Sequence, residues 1–243
     1  TTADATNLVA GVTGLNAANA VTLNGGLTVD SSTGSFELSG IVGGVGSITK
    51  INTGNLILSG VNTYTGGTNL NAGSLTITNN ASIGTGTLTT TGGTTVFAGR
   101  NDPSGNLALT LANNVVLGAG STTIDLQGTT INGFEDGTVA INGGTTLTLN
   151  GVVSGAGNLV VNDNGRLTLN GVNSYTGGTN ATQTALYVGT DSALGTGTLT
   201  ISASILANDS GALRTLANNV VLAGNSVIAG PNDLTLNGVV SGG

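Results

Sequence analysis

Short runs in which aliphatic and polar residues alternate recur along this chain, as in Leu147-Thr148-Leu149 and Leu167-Thr168-Leu169. A period of two places every second side chain on one face and marks a strand with a single buried side. Such runs fall at Leu107, Leu126, Leu147, Leu167, Leu186 and Ile205, at intervals of about 20 residues. Gly, Asn and Asp cluster between them and read as turns. No segment carries an apolar stripe of helical period, and the strong helix formers Glu, Lys, Arg and Met are scarce. The pattern predicts an all-β chain.

A longer repeat organises these runs. Leu58–Thr68 (LSGVNTYTGGT) returns as Leu169–Thr179 (LNGVNSYTGGT), and Ser82–Thr89 as Ala193–Thr200, both at an offset of 111. Leu111–Leu117 (LANNVVL) returns at an offset of 105, and Leu147–Gly155 (LTLNGVVSG) at an offset of 87. Phe36–Gly44 is a looser copy of the last phrase. The chain therefore reads as one continuous unit, residues 1–243, with long repeats over about 36–146 and 147–233 and the start of a third at 234–243.

A β-sandwich does not repeat its sequence in this way, whereas a coiled stack of about 20 residues per turn does. The expectation is a right-handed parallel β-helix, a β-solenoid with Leu, Ile and Val stacked inside. Dividing 243 residues by the turn length predicts roughly 12 rungs and about 60 Å of rod. The drop in offset from 105 to 87 is close to one turn length and predicts that the second copy has lost a rung.

Composition removes several function classes. Only 6% of residues are charged and the net charge is −7, so the four cations Lys50, Arg100, Arg166 and Arg214 cannot form a nucleic-acid or anionic-lipid patch. With 43 Gly but only 2 Pro, and 38% hydrophobic residues, the chain is neither collagen nor a disordered linker. There is no Cys and no His, which excludes Ser-His and Cys-His catalysis and His-metal sites within this segment. No apolar run is long enough to form a membrane helix. The chain starts without an initiator Met and stops inside a repeated phrase, and so reads as part of a longer protein.

Residues Gly40–Ile77 present a glycine-rich turn, an L-x-L strand, N-x-YTGGT and an L-x-I strand, in that order. Gly151–Asn180 presents the pattern again, with Ala181–Ala185 replacing the following glycine-bearing turn. This phrase resembles the passenger-associated transport repeat of bacterial autotransporters. The resemblance implies an exported cell-surface passenger and, as its partner, a β-barrel translocator absent from this segment.

Several motifs invite a chemical reading and are better explained by structure. Tyr64 and Tyr175 could form an epitope, but YTGGT reads first as a tight turn, with Gly66 and Gly67 free to take positive φ and the Tyr covering the rung edge. Gly43–Ser47 has Ser47 where calcium-binding nonapeptides need Asp. Asn162–Gly165 (NDNG) lacks the bidentate Glu of a calcium loop and reads as an Asn-Gly turn. Glu135 and Asp136 are adjacent, hence badly placed as an acid/base pair, unless Glu37, Asp125 or Asp163 completes a pair across rungs. Phe36, Phe97 and Phe134 read as core fillers. No catalytic, cofactor-binding or metal residue is assigned, and no cofactor is expected.

The leading functional expectation is a structural, adhesive surface stalk, with self-association into fibres as a variant favoured by low charge. Its partners would be its own translocator, a host or abiotic surface, or neighbouring copies, with no nucleic acid. The alternatives are a β-helical polysaccharide-degrading enzyme and an ice-binding solenoid built on threonines such as Thr146, Thr148, Thr198 and Thr200.

Overall fold

The computed structural model describes residues 2–3, 6–10, 13–32, 34–99, 107–126 and 144–242. Every strand pairing among them is parallel and joins strands on successive turns of a solenoid. Each turn has three sides, visited in constant order. Side 3 is a single sheet of eleven strands, from Leu15–Ala17 to Val240–Gly242. Side 2 holds seven strands, from Thr6–Val9 to Val153–Gly155, and resumes with Arg214–Leu216 and Leu234–Leu236. Side 1 begins with Thr2–Ala3, Val21–Leu23 and Val42–Gly44, and resumes with six strands from Ala108–Leu111 to Val227–Ala229.

Alternation does what the pattern requires. In Leu27–Asp30 and Ile48–Ile51 the first and third residues are buried and the others partly exposed. Leu38, Leu58, Ile77, Leu88, Val161 and Leu186 fill the interior in stacked rows, all nearly inaccessible. Inward polar residues pair with each other, as where Thr90 and Thr122 share a hydrogen bond of 2.7 Å. Corners are tight enough to demand glycine: a Cβ on Gly46 would stand 1.8 Å from the Gly25 carbonyl oxygen of the preceding turn.

Three expectations need correction. The solenoid has about 10 turns rather than 12, because the eleven strands of side 3 are joined by ten steps. Most steps span about 20 residues, but Val96 pairs with Ile124 and Thr122 with Leu159, which are longer steps. The described sheets gain no strand across the longer of these steps. Ala108–Leu111 pairs directly with Thr146–Leu149, Val115–Leu117 with Val153–Gly155, and Ser121–Asp125 with Asn158–Asn162, so all three sides close over the interval. The second copy takes the same path, from Val220–Leu222 directly to Val240–Gly242. The stretch it lacks therefore corresponds to length between Leu126 and Gly144, within the undescribed 127–143, and not to a lost rung. Leu126 follows a strand of side 3, while Leu107, Leu147, Leu167, Leu186 and Ile205 belong to side 1, so the apparent turn-length intervals around Leu126 join different sides. Finally, Phe36 is in the core as expected, but Phe97 is on the outer face of side 3, only partly buried. Phe134, Glu135 and Asp136 lie outside the described residues.

The long repeat is also out of phase with the three sides. Val42–Gly44 stands on side 1, its equivalent Val153–Gly155 on side 2, and the third copy, Val240–Gly242, on side 3. Each long repeat advances four turns and one side, so equivalent motifs face directions about a third of a turn apart.

Deleting residues 127–143 is expected to leave the solenoid folded, with the far-UV circular dichroism of the parent and a melting temperature within a few degrees of it. Loss of cooperative unfolding would show that the interval holds part of the stack.

The tyrosine arm as candidate functional site

Among the described residues, side 1 has no strands between Val42–Gly44 and Ala108–Leu111, and side 2 has none between Val153–Gly155 and Arg214–Leu216. In each gap lies one GVN-x-YTGGT phrase. Its backbone remains partly paired: the Thr63 and Thr65 amides donate to the Val42 and Gly44 carbonyls at 2.8 and 3.0 Å, and Ser174 and Thr176 donate to Val153 and Gly155 at 2.9 Å each. Side chains supply the remaining bonds, as buried backbone groups must find partners.

Asn62 clamps three turns. Its Oδ1 accepts from the Val42 amide at 2.8 Å, and its Nδ2 donates to the Ser82 carbonyl at 2.6 Å. Asn173 does the same between Val153 (2.7 Å) and Ala193 (2.6 Å). Further along, Asn113 Nδ2 donates to the Gly86 carbonyl at 2.6 Å, and Asn114 Oδ1 accepts from the Val152 amide at 2.9 Å. Asn218 and Asn219 repeat these roles with Gly197 and Val239. The paired asparagines of LANNVVL thus tie the GTGTLT phrase that follows the tyrosine arm to the next GVV turn.

Tyr64 and Tyr175 point inward and are fully buried, so they neither form an epitope nor merely edge a rung. Each hydroxyl shares a hydrogen bond with a buried threonine, Thr68 at 2.6 Å and Thr179 at 2.5 Å. The ring lies against the next turn, where a Cβ on Gly84 would come within 3.1 Å of the Tyr64 ring and 2.3 Å of its carbonyl oxygen. Gly195 is equally confined beneath Tyr175. This explains why each YTGGT is followed by a GTGTLT phrase. Gly67 takes φ 86°, but Gly66 does not need positive φ; it is glycine because Gly46 lies against it.

The other candidates fall as follows. At Asn162–Gly165 the positive φ values belong to Asp163 (78°) and Asn164 (52°), and Gly165 is confined by Leu126. Glu37 accepts a hydrogen bond from Ser59 at 2.5 Å on the outer face of side 3. Glu37 and Asp125 share one outward column with Ile57, Thr76 and Phe97 between them. Four steps of about 4.8 Å put them about 19 Å apart, too far for a glycosidase pair. Asp125 pairs in register with Asn162, so Asp163 stands at the same corner. Among the described residues no group of three or more His, Cys, Asp or Glu could hold a metal. On side 1, Arg166 stacks 3.6 Å above the Tyr187 ring and forms an ion pair with Asp209.

Sequence reasoning missed Lys50, counted among scattered cations. It is fully buried at an inward position that Val161 occupies in the second copy. Its Nζ donates to the carbonyls of Ile51 and Asn52, both at 2.6 Å, and of Ala72 at 3.4 Å. Burial holds the ammonium pKa below the ordinary lysine value, and nearby Asp30 partly offsets this. The signal was available as a lysine in phase with buried Ile48.

The arrangement is a repeated scaffold in which asparagine clamps and tyrosine pegs replace strand pairing. The family described as passenger-associated-transport-repeat matches residues 48–77 and 159–183, the two segments holding these arms. The chain thus carries two repeats of the kind that marks autotransporter passenger regions. No curated protein and no solved structure matches it.

Two outcomes follow from the buried groups. Lys50 binds protons less readily folded than unfolded, so its contribution makes stability rise with pH toward the ordinary value of 10.5. The stability of the parent relative to Lys50→Val is expected to increase across that window, read by denaturant melts; a pH-independent difference would show that the amine is not desolvated. Burial raises the pKa of Tyr64 and Tyr175, so their contribution is intact below the ordinary tyrosine value of 10 and is lost as pH rises above it. Their tyrosinate absorbance is expected to appear only with loss of the β circular-dichroism signal; ionisation in the folded chain would contradict the burial.

Proposed function

We propose that this chain is the stalk of an autotransporter passenger, exported through its own β-barrel translocator and held on or released from the bacterial surface. There it acts as a structural and adhesive element, not as an enzyme. The observation that carries the reading is the pair of passenger-associated transport repeats set in one parallel solenoid of about 10 turns. A rod of this kind holds whatever lies at its far end away from the membrane, and its stability adds up from contacts between neighbouring turns. Host or abiotic surfaces and neighbouring copies are the partners that suit a surface so poor in charge. The separation of Glu37 and Asp125 weighs against a polysaccharide hydrolase built on that pair.

The test uses the full reading frame in a Gram-negative host. Antibodies against the solenoid are expected to label intact cells, and added protease to remove the label. Confinement of the protein to the cytoplasm or periplasm would overturn the reading. Release of sugars from polysaccharides by the purified chain, abolished by Asp125→Asn, would favour the enzyme instead.

A further inference from the structure

Four strands end in the same triplet, Leu-Asn-Gly, at Leu23–Gly25, Leu149–Gly151, Leu169–Gly171 and Leu236–Gly238. In each the leucine closes the strand and the asparagine opens a corner, exposed to solvent. An Asn-Gly pair can modify itself. With no Cβ in the way, the glycine amide nitrogen can attack the asparagine Cγ and close an imide ring. The amide must be free to do so. Among the described residues the amides of Gly25, Gly151, Gly171 and Gly238 donate no hydrogen bond, whereas those of Gly40 and Gly60, which follow serine, donate to the Ala17 and Leu38 carbonyls at 3.3 and 3.4 Å.

The triplets are identical, so their surroundings tell them apart. Asn150 and Asn170 are stacked on successive turns at the corner between sides 1 and 2, and Asn170 Nδ2 donates to Asn150 Oδ1 at 2.9 Å. Among the described residues no donor reaches Oδ1 of Asn24, Asn170 or Asn237. A fifth pair, Asn164–Gly165, has its Oδ1 buried without a donor and its glycine confined by Leu126. Two more, at 132 and 142, lie outside the described residues. In the first copy of the long repeat Ser39 and Ser59 stand where the second has Asn150 and Asn170.

We infer that Asn150 is a self-modification site, converted by the amide of Gly151 and assisted by Asn170 from the following turn. The Gly151 amide gives its proton to solvent, and its nitrogen bonds to Cγ of Asn150. Negative charge then gathers on Oδ1, the atom at which the Asn170 hydrogen bond is already aimed, and a donor so placed lowers the barrier. The Cγ–Nδ2 bond breaks, and ammonia leaves with a proton taken from solvent. Water opens the imide at one of its two carbonyls and gives aspartate or isoaspartate. Nothing is oxidised or reduced, and water is the one co-reactant. The product adds a negative charge to a chain that carries −7, at a corner where Asn170 can go on donating to the new carboxylate. The inference goes beyond the stalk reading and does not rest on it.

The test incubates the purified 243-residue chain at mildly alkaline pH and follows each Asn-Gly pair by peptide mapping. Mass spectrometry reads the gain of one mass unit, and chromatography separates aspartate from isoaspartate. Asn150 is expected to convert fastest of the four Leu-Asn-Gly asparagines, and Asn164 more slowly than any of them. Asn170→Ser, which installs the residue of the equivalent Ser59, is expected to slow Asn150 about fivefold, the effect of one ordinary hydrogen bond, and to leave Asn237 unchanged. Asn170→Asp, equal in shape but unable to donate when ionised, is expected to act in the same way. Circular dichroism checks that each variant folds. In denaturant Asn24, Asn150 and Asn237 are expected to convert alike in parent and variants. Conversion of Asn150 no faster than that of Asn237 in the folded chain overturns the inference, as does a folded variant at position 170 whose Asn150 keeps the parental rate. An advantage of Asn150 that survives denaturation belongs to the local sequence and overturns it too.

Discussion

The main-chain amides and carbonyls of each turn are paired by the turns before and after it, in parallel and in register. This one constraint shapes the rest of the molecule. A turn must come back to its starting register after about 20 residues, or the surplus must be accommodated without disturbing the three sides. The direct pairings of Ala108–Leu111 with Thr146–Leu149 and of Ser121–Asp125 with Asn158–Asn162 show the second solution. The same closeness of successive turns confines Gly46, Gly84 and Gly195, where any side chain would collide with the backbone of the turn before.

Where the ladder lapses, side chains take over its work. The two tyrosine arms lie in the gaps of sides 1 and 2, and each is held by an asparagine bonded both to the turn before and to the turn after. A tyrosine then fills the interior that a pair of aliphatic residues would otherwise occupy, with its hydroxyl satisfied by Thr68 or Thr179. Polar groups so satisfied are compatible with a dry interior, whereas the same groups unpaired would cost several kcal/mol each. The passenger repeat is thus, in physical terms, a way of crossing one side of the solenoid without a strand.

Because the long repeat advances by four turns and one side, the chain presents its recurring motifs in different directions. Val61 and Val172, equivalent and both exposed, face adjacent sides. The outward columns of Ser, Thr, Asn and Val are therefore composed of strands with unrelated places in the repeat. Side 2, for instance, gathers Thr49 from one passenger repeat, Thr89 from the GTGTLT phrase and Val116 from LANNVVL. The chemistry of each face is a property of this phase relation, and no single repeat unit carries it.

The sequence by itself determined the class of fold and the inner face of nearly every strand. Alternation is a local property: Leu147, Leu149, Leu167 and Leu169 are inward whatever lies above or below them. The long repeat likewise marked the arms, since the same phrase meets the same demands twice. Only the tertiary structure decided which strands share a side. Leu126 and Leu147 are separated by nearly one turn length yet belong to different sides, and the described strands on either side of residues 127–143 pair directly with one another. It also decided that Phe97 faces outward, that Lys50 is buried among carbonyls, and that Asn62 reaches both neighbouring turns. Spacing along the chain counts residues whether or not they advance the coil. Pairing between turns counts only those that do, and that distinction appears when the backbone has closed on itself.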